Sequence, residues 1–158
     1  MSGGDIGPTA DLPDVLDLLP HRYPFLLVDR ITAIDPGRRA EGVKQVTGGE
    51  WFFIGASNAD RERRMPNGLV VEALAQLSAA VLVGLAESIP GAVGYFMGLD
   101  RVRYRGDGAR AGDEIQLSVE LIRFRRGLCR TRGEAWVNGR RIVRAELTTV
   151  LVPGATKG

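Results

Sequence analysis

Hydrophobic and polar positions along the chain fall into two kinds of pattern, one with the period of a strand and one apolar on every face. Four segments of the second half, Val93 to Arg105, Glu114 to Arg125, Leu128 to Val137 and Arg141 to Val152, alternate apolar with polar residues, as a strand with one buried face does. Val137-Asn138-Gly139-Arg140 sets Asn-Gly between two of these runs and predicts a tight hairpin, whose central positions need positive φ. Earlier in the chain, Phe25 to Ile34 is rich in branched apolar residues and ends at Asp35-Pro36-Gly37, predicting a strand and a turn. Arg39 to Thr47 alternates loosely and is expected to be its antiparallel partner. Pro13 to Leu19 predicts a short helix that Pro20 stops.

Gly68 to Ala86 is different. Ala and Leu dominate, Asn67 is the expected N-cap, and Ser88-Ile89-Pro90-Gly91 closes the segment. A helix that is apolar nearly all round must be wrapped by other structure. The stretch approaches membrane-spanning length, but Glu72, Gln76 and Ser78 favour a buried core helix over a lipid-facing one. Trp51 to Arg64 has no period and predicts a loop. One long helix with about six antiparallel strands gives an α+β unit in which a curved sheet wraps the helix. Such a sheet leaves an edge strand exposed, so pairing between subunits is expected. The unit is expected to run over residues 11–152, with flexible segments at 1–10 and 153–158, and there is no internal repeat.

Composition narrows the class. At 158 residues, 44% of them hydrophobic, the chain is sized for one core. Cys129 is the only cysteine, so no intrachain disulfide framework exists, and its place in an alternating run predicts a packing role. Met1 to Ala10 has no basic segment followed by an apolar run, so no signal peptide is expected and the reading is cytoplasmic. Net charge is +2, but residues 101–144 hold twelve arginines against five acids, a local balance of +7 that should attract an anionic partner. The arginines at 101, 103 and 105, at 123 and 125, and at 130 and 132 are spaced by two and share strand faces. Aromatic residues do not interleave with them, which argues against nucleic acid.

Candidate chemistry is sparse. Glu72 and Gln76, four apart, share one face of the helix, and a carboxylate in so apolar a helix needs a partner or a function. His21, the only histidine, lies between Pro20 and Pro24 and is expected to be structural. No ligand spacing suggests zinc or another metal, and no phosphate loop or nucleophile elbow is present, so no cofactor is expected.

Three ordered motifs carry a resemblance over roughly Asp11 to Val152. Leu19-Pro20-His21-Arg22-Tyr23-Pro24-Phe25-Leu26-Leu27-Val28-Asp29-Arg30 resembles the opening signature of the 3-hydroxyacyl-acyl-carrier-protein dehydratases of type II fatty acid synthesis. Met65-Pro66 with Val71-Glu72-Ala73-Leu74-Ala75-Gln76 is similar to their central-helix motif, and Gly94-Tyr95-Phe96-Met97-Gly98-Leu99-Asp100 to the following strand. The resemblance implies a hotdog fold, a dimer or trimer of dimers, and an acyl tunnel at the dimer interface. It implies catalysis by a loop histidine, which abstracts the proton beside the thioester carbonyl, and by a central-helix glutamate of the other subunit, which helps the 3-hydroxyl leave as water. A backbone amide at the helix start polarises the carbonyl. Glu72 matches the glutamate, Tyr95 a tyrosine near the tunnel mouth, and Asn67, Gly68, Gln76 and Phe96 are the further expected substrate contacts. Arg101, Arg103, Arg105, Arg123 and Arg125 are expected to dock an acidic acyl carrier protein.

The chain departs from the pattern at three places. After Phe52-Phe53-Ile54-Gly55 the histidine position is Ala56, the loop to Arg64 is about two residues longer, and Pro66-Asn67-Gly68 replaces Pro-Gly. Alanine cannot move a proton, and loss of a positioned base removes about 10²–10⁴-fold of rate. Three functions follow as expectations. The first is a dehydratase-like protein acting on or binding acyl thioesters, with Glu72 retained and Asp60 or Glu62 replacing the base. The second is a non-catalytic acyl or carrier-protein binding subunit paired with a histidine-bearing homologue in a heterodimer. The third is an acyl thioesterase.

Overall fold

The alternating runs pair into one sheet. The structure, a computed structural model, describes residues 12–55 and 63–154. Its elements are α1 (Val15–Leu18), β1 (Arg30–Asp35), β2 (Arg39–Gln45), α2 (Asn67–Ala86), β3 (Val93–Tyr104), β4 (Glu114–Arg125), β5 (Leu128–Val137) and β6 (Arg140–Val152). Six strands form a sheet of order β1-β2-β4-β5-β6-β3, and every pairing is antiparallel. Asn138 and Gly139 both have positive φ, 49° and 73°, so the predicted hairpin joins β5 to β6 as its sequence requires.

The sheet curls round α2. Val70, Ala73, Leu74, Leu77, Ala80 and Val81 are fully buried, which accounts for a mean hydropathy of 2.0 in a helix long and apolar enough to pass for a membrane span. On β5, Cys129, Thr131, Ala135 and Val137 turn inward at alternate positions. Gly133 completes that row, and a Cβ there would lie 3.1 Å from Leu74 Cβ, so the glycine sets how closely helix and sheet approach. At the far end of α2, Gly37 N donates to Val81 O at 2.9 Å, and a Cβ on Gly84 would lie 2.6 Å from the backbone of the β1–β2 turn.

Three local expectations are corrected. Phe25 to Asp29 is not strand: β1 starts at Arg30, because the Leu27 amide is given to the Gln76 side chain instead of a neighbouring strand. Leu27 and Val28 are both buried, which an alternating strand with one wet face does not allow. Asn67 is not the N-cap but the first residue of α2; Pro66 holds the cap position, without a side-chain hydrogen bond. Trp51–Phe53 forms a short 3-10 turn in the expected loop. The predicted N-terminal segment 1–10, most of the C-terminal tail, Ala56, Asp60 and Glu62 lie outside the described residues.

β3 is an edge strand whose two faces both stay open. Val93, Tyr95, Phe96, Met97, Leu99 and Tyr104 are each 41–63% exposed along it. A long apolar edge of this kind is a template for pairing with another chain.

Candidate active site

Glu72 sits in the second turn of α2 and its carboxylate faces a cavity of about 650 Å³. Val71, Ala75, Ala79 and Leu82 of α2 form one wall, Gly94, Phe96 and Leu99 of β3 another, and His21 and Pro20 the mouth beside Glu72. The lining is mainly aliphatic and elongated along the helix, which suits an acyl chain with its polar end at Glu72.

Gln76 holds the carboxylate in place. Its side chain is only 1% exposed, and its Nε2 donates to Phe25 O at 2.8 Å and to Glu72 Oε1 at 3.0 Å, while its Oε1 accepts from Leu27 N at 2.9 Å. The four-residue spacing on one helix face makes the Glu72 contact; the rest of the amide ties the segment before β1 across the helix. Gln76 borders the cavity with its amide groups engaged by Phe25, Leu27 and Glu72.

His21 lies opposite. Its Nε2 is 3.9 Å from Glu72 Oε1, and the two side chains are 33% and 31% exposed. Arg22 fixes the backbone around it, donating to Leu19 O at 2.7 Å, His21 O at 2.8 Å and Leu16 O at 3.1 Å. No local pattern signals this approach beyond the proline-bounded segment, because it is made by tertiary packing, with Gln76 bonded to Phe25 O and Leu27 N across α2.

Of the expected substrate contacts, the fold gathers Glu72, Gly68, Gln76 and Phe96 round one cavity. Asn67 and Tyr95 are outside its lining. Tyr95 alternates with Gly94 and Phe96 and is 56% exposed on the open edge strand. Asn67 Oδ1 points instead toward Gly108.

The expected docking arginines do not form one patch. Arg103 faces Arg144 of β6, whereas Arg123 faces Arg130 of β5, which in turn faces Thr148 of β6. β4 and β3 are therefore separated by two intervening strands, and the two groups by about 13 Å along the strand direction. Arg101 is engaged by Glu146 at 2.7 Å. Arg105 instead joins Arg64, Arg110, Arg140 and Arg141 round a basin of about 670 Å³ that also contains Asp107 and Asp113. This basin abuts the start of α2 through Gly108 and Asn67. Among the described residues no cluster of His, Cys, Asp or Glu could hold a metal.

Comparison with known proteins agrees with the geometry. A family described as FabA-like domain matches residues 19–146. The 3-hydroxyacyl-[acyl-carrier-protein] dehydratase FabZ of Syntrophotalea carbinolica is 43% identical over 145 residues, 92% of this chain and 97% of that protein. FabZ of Bacillus subtilis is 41% identical over 141 residues, 89% and 97% of the two chains. Among solved structures, the dehydratase heterocomplex ApeI:P from Xenorhabdus doucetiae superposes with a TM-score of 0.72 at 18% identity, covering 93% of this chain and 95% of that one. A hypothetical thioesterase with coenzyme A from Streptococcus pneumoniae gives 0.61 at 14% identity, covering 80% and 88%. Such distant structural likenesses establish the shared hotdog architecture. The sequence relationship goes further: this chain belongs to the FabA-like family, among the 3-hydroxyacyl-acyl-carrier-protein dehydratases of the FabZ kind.

Proposed function

We propose that the chain binds a 3-hydroxyacyl thioester in the cavity along α2 and acts on it at Glu72, through a site altered from that of its relatives. The observation that carries this reading is the Glu72 carboxylate, oriented by the buried Gln76 in a mainly apolar cavity. Ala56 stands where the resemblance implies histidine, so the base must come from elsewhere. Turnover of a 3-hydroxyacyl thioester by the purified chain tests the reading, with Glu72→Gln as control. Activity indifferent to that substitution removes Glu72 from the chemistry.

The carrier of the thioester is an acidic acyl carrier protein, and the chain works in the cytoplasm. The arginine-lined basin beside the start of α2 supports carrier docking, because fixed positive charge there steers an acidic partner. Binding that is unchanged between low and high ionic strength removes this steering. The open β3 edge pairs with a second subunit, as a homodimer or as the unit of a trimer of dimers, and closes the cavity wall that Gly94, Phe96 and Leu99 begin.

A second reading is supported by the likeness to the ApeI:P heterocomplex. Here the chain pairs with a histidine-bearing homologue and contributes Glu72 to a composite site. Co-expression with such a homologue distinguishes the two: a heterodimer with activity that neither chain has alone favours the second.

A further inference from the structure

We infer that His21 and Glu72 of the same chain form the proton-handling pair of this site. The inference rests on the proposed binding of a 3-hydroxyacyl thioester in the α2 cavity. Three observations carry it. Among the described residues, His21 and Glu72 are the only titratable groups in the cavity wall. Their Nε2 and Oε1 atoms are 3.9 Å apart, and both side chains reach the cavity with about a third of their surface exposed. Hydrogen bonds between catalytic groups are often this long before substrate is bound and shorten around it.

The third observation is the other ring nitrogen. His21 Nδ1 is buried and has no hydrogen-bond partner among the described residues. A structural histidine is normally held by such a bond, and an unpaired buried polar atom lowers stability and calls for an explanation. The imidazole is therefore not kept in place by its own hydrogen bonds. Its backbone is fixed instead: Pro20 precedes it, and Arg22 clamps Leu16 O, Leu19 O and His21 O. Nε2 lies 3.9 Å from Glu72 Oε1, and the ring lines the cavity.

The division of labour follows from Gln76. Its Nε2 donates to Oε1 of Glu72, which fixes that oxygen and leaves Oε2 for the substrate. In dehydration, Oε2 takes a proton from C2 of the thioester. The electron pair of that C–H bond is held first on the thioester as an enolate, then forms the C2–C3 double bond as the C3–O bond breaks. The departing hydroxyl receives a proton from Nε2 of the His21 imidazolium and leaves as water. Glu72, now protonated, returns its proton to Nε2 and resets the pair. Nothing is oxidised or reduced, and no co-reactant is consumed.

The experiment uses the full-length chain alone with a 3-hydroxyacyl N-acetylcysteamine thioester, following affinity, dehydration and deuterium incorporation at C2 in heavy water. The expected result is a split. Glu72→Gln loses both exchange and dehydration, whereas His21→Gln keeps affinity and C2 exchange but lowers dehydration by about 10²-fold or more. His21→Asn, whose amide differs in reach, behaves like His21→Gln if the chemistry and not the packing is at stake. The pair is overturned if His21→Gln dehydrates within about threefold of the unaltered chain, well short of the loss expected for a proton donor. It is also overturned if the chain binds the thioester but neither exchanges nor dehydrates, or if activity appears only with a histidine-bearing homologue and ignores His21→Gln. Failure to bind any thioester is the separate result that removes the proposed function itself.

Discussion

Gln76 donates one N–H of its side-chain amide to Glu72 Oε1 at 3.0 Å and the other to Phe25 O at 2.8 Å, so one buried residue both aims the carboxylate and pins the segment that carries His21. The site and the entry to the sheet are thereby coupled. Gln76→Met keeps the volume but leaves Phe25 C=O and Leu27 N–H without their partner. The expected loss is about 2 kcal/mol or more, read as a lower urea midpoint at unchanged slope. Activity should fall with it, because Glu72 is no longer held. A midpoint equal to that of the unaltered protein means that this amide does not tie the segment.

Two glycines of the helix–sheet contact differ in what surrounds them. A Cβ on Gly133 meets the side chain of Leu74 at 3.1 Å, which can yield by a few tenths of an ångström. A Cβ on Gly84 meets backbone atoms of Pro36 and Gly37 at 2.6 Å, and backbone cannot yield so cheaply. Gly84→Ala should therefore lower the melting temperature more than Gly133→Ala, whose expected cost is about 1–3 kcal/mol. The reverse order, measured by thermal unfolding, contradicts the described fit between α2 and the β1–β2 turn.

Cys129 is 1% exposed, and burial pushes its thiol up to about 11. At pH 8 roughly one molecule in a thousand carries the thiolate, so a thiol-specific reagent should react with the native protein only as fast as it unfolds. The sign for stability follows: the folded state holds the proton more tightly than the unfolded one. The contribution is fully present below the ordinary thiol range, around 9, and is lost as pH rises toward 11. Compared with Cys129→Ala, the unaltered protein should lose on the order of 2–3 kcal/mol across that interval. Parallel pH profiles for the two proteins count against a buried, neutral thiol.

Glu146 is a buried carboxylate, 7% exposed at its side chain, bound to Arg101 at 2.7 Å with Arg130 and Arg132 at 3.9 and 4.0 Å. Arg101 reaches water, at 69% exposure. Removing Arg101 leaves Glu146 two cations; removing Glu146 leaves three guanidinium groups with reduced compensation. Glu146→Ala should therefore cost more than Arg101→Ala, by about 1 kcal/mol or more, in paired denaturant titrations. Equal costs mean that the carboxylate interacts with Arg101 alone.

What could be read from the sequence, and what could not, follows from the range of the physical signal. Strands with one buried face announce themselves by a period of two, so β4 and β5 begin and end where alternation places them, and Asn138-Gly139 fixes the hairpin by its φ requirement. The apolarity of α2 on all sides told equally well that a sheet must wrap it. Phe25 to Asp29 misled because a branched apolar run also suits an extended segment trapped between a helix and loops, and only Gln76, far along the chain, decides which one it is. Glu72 stood out locally, as a charge in an apolar helix. His21 did not, since its significance lies in a contact made by tertiary packing. The arginines were visible as a sum of charge, but their division into separate groups depends on strand order, which spacing by two does not reveal.

The bare β3 edge leaves one wall of the cavity to be completed from outside the sheet. Gly94, Phe96 and Leu99 border the cavity from a strand that has no neighbour on its outer side among the described residues. On the proposed function, a subunit docked against that strand supplies the ruler for acyl length, and exchanging it would change which chains fit without altering a single residue here.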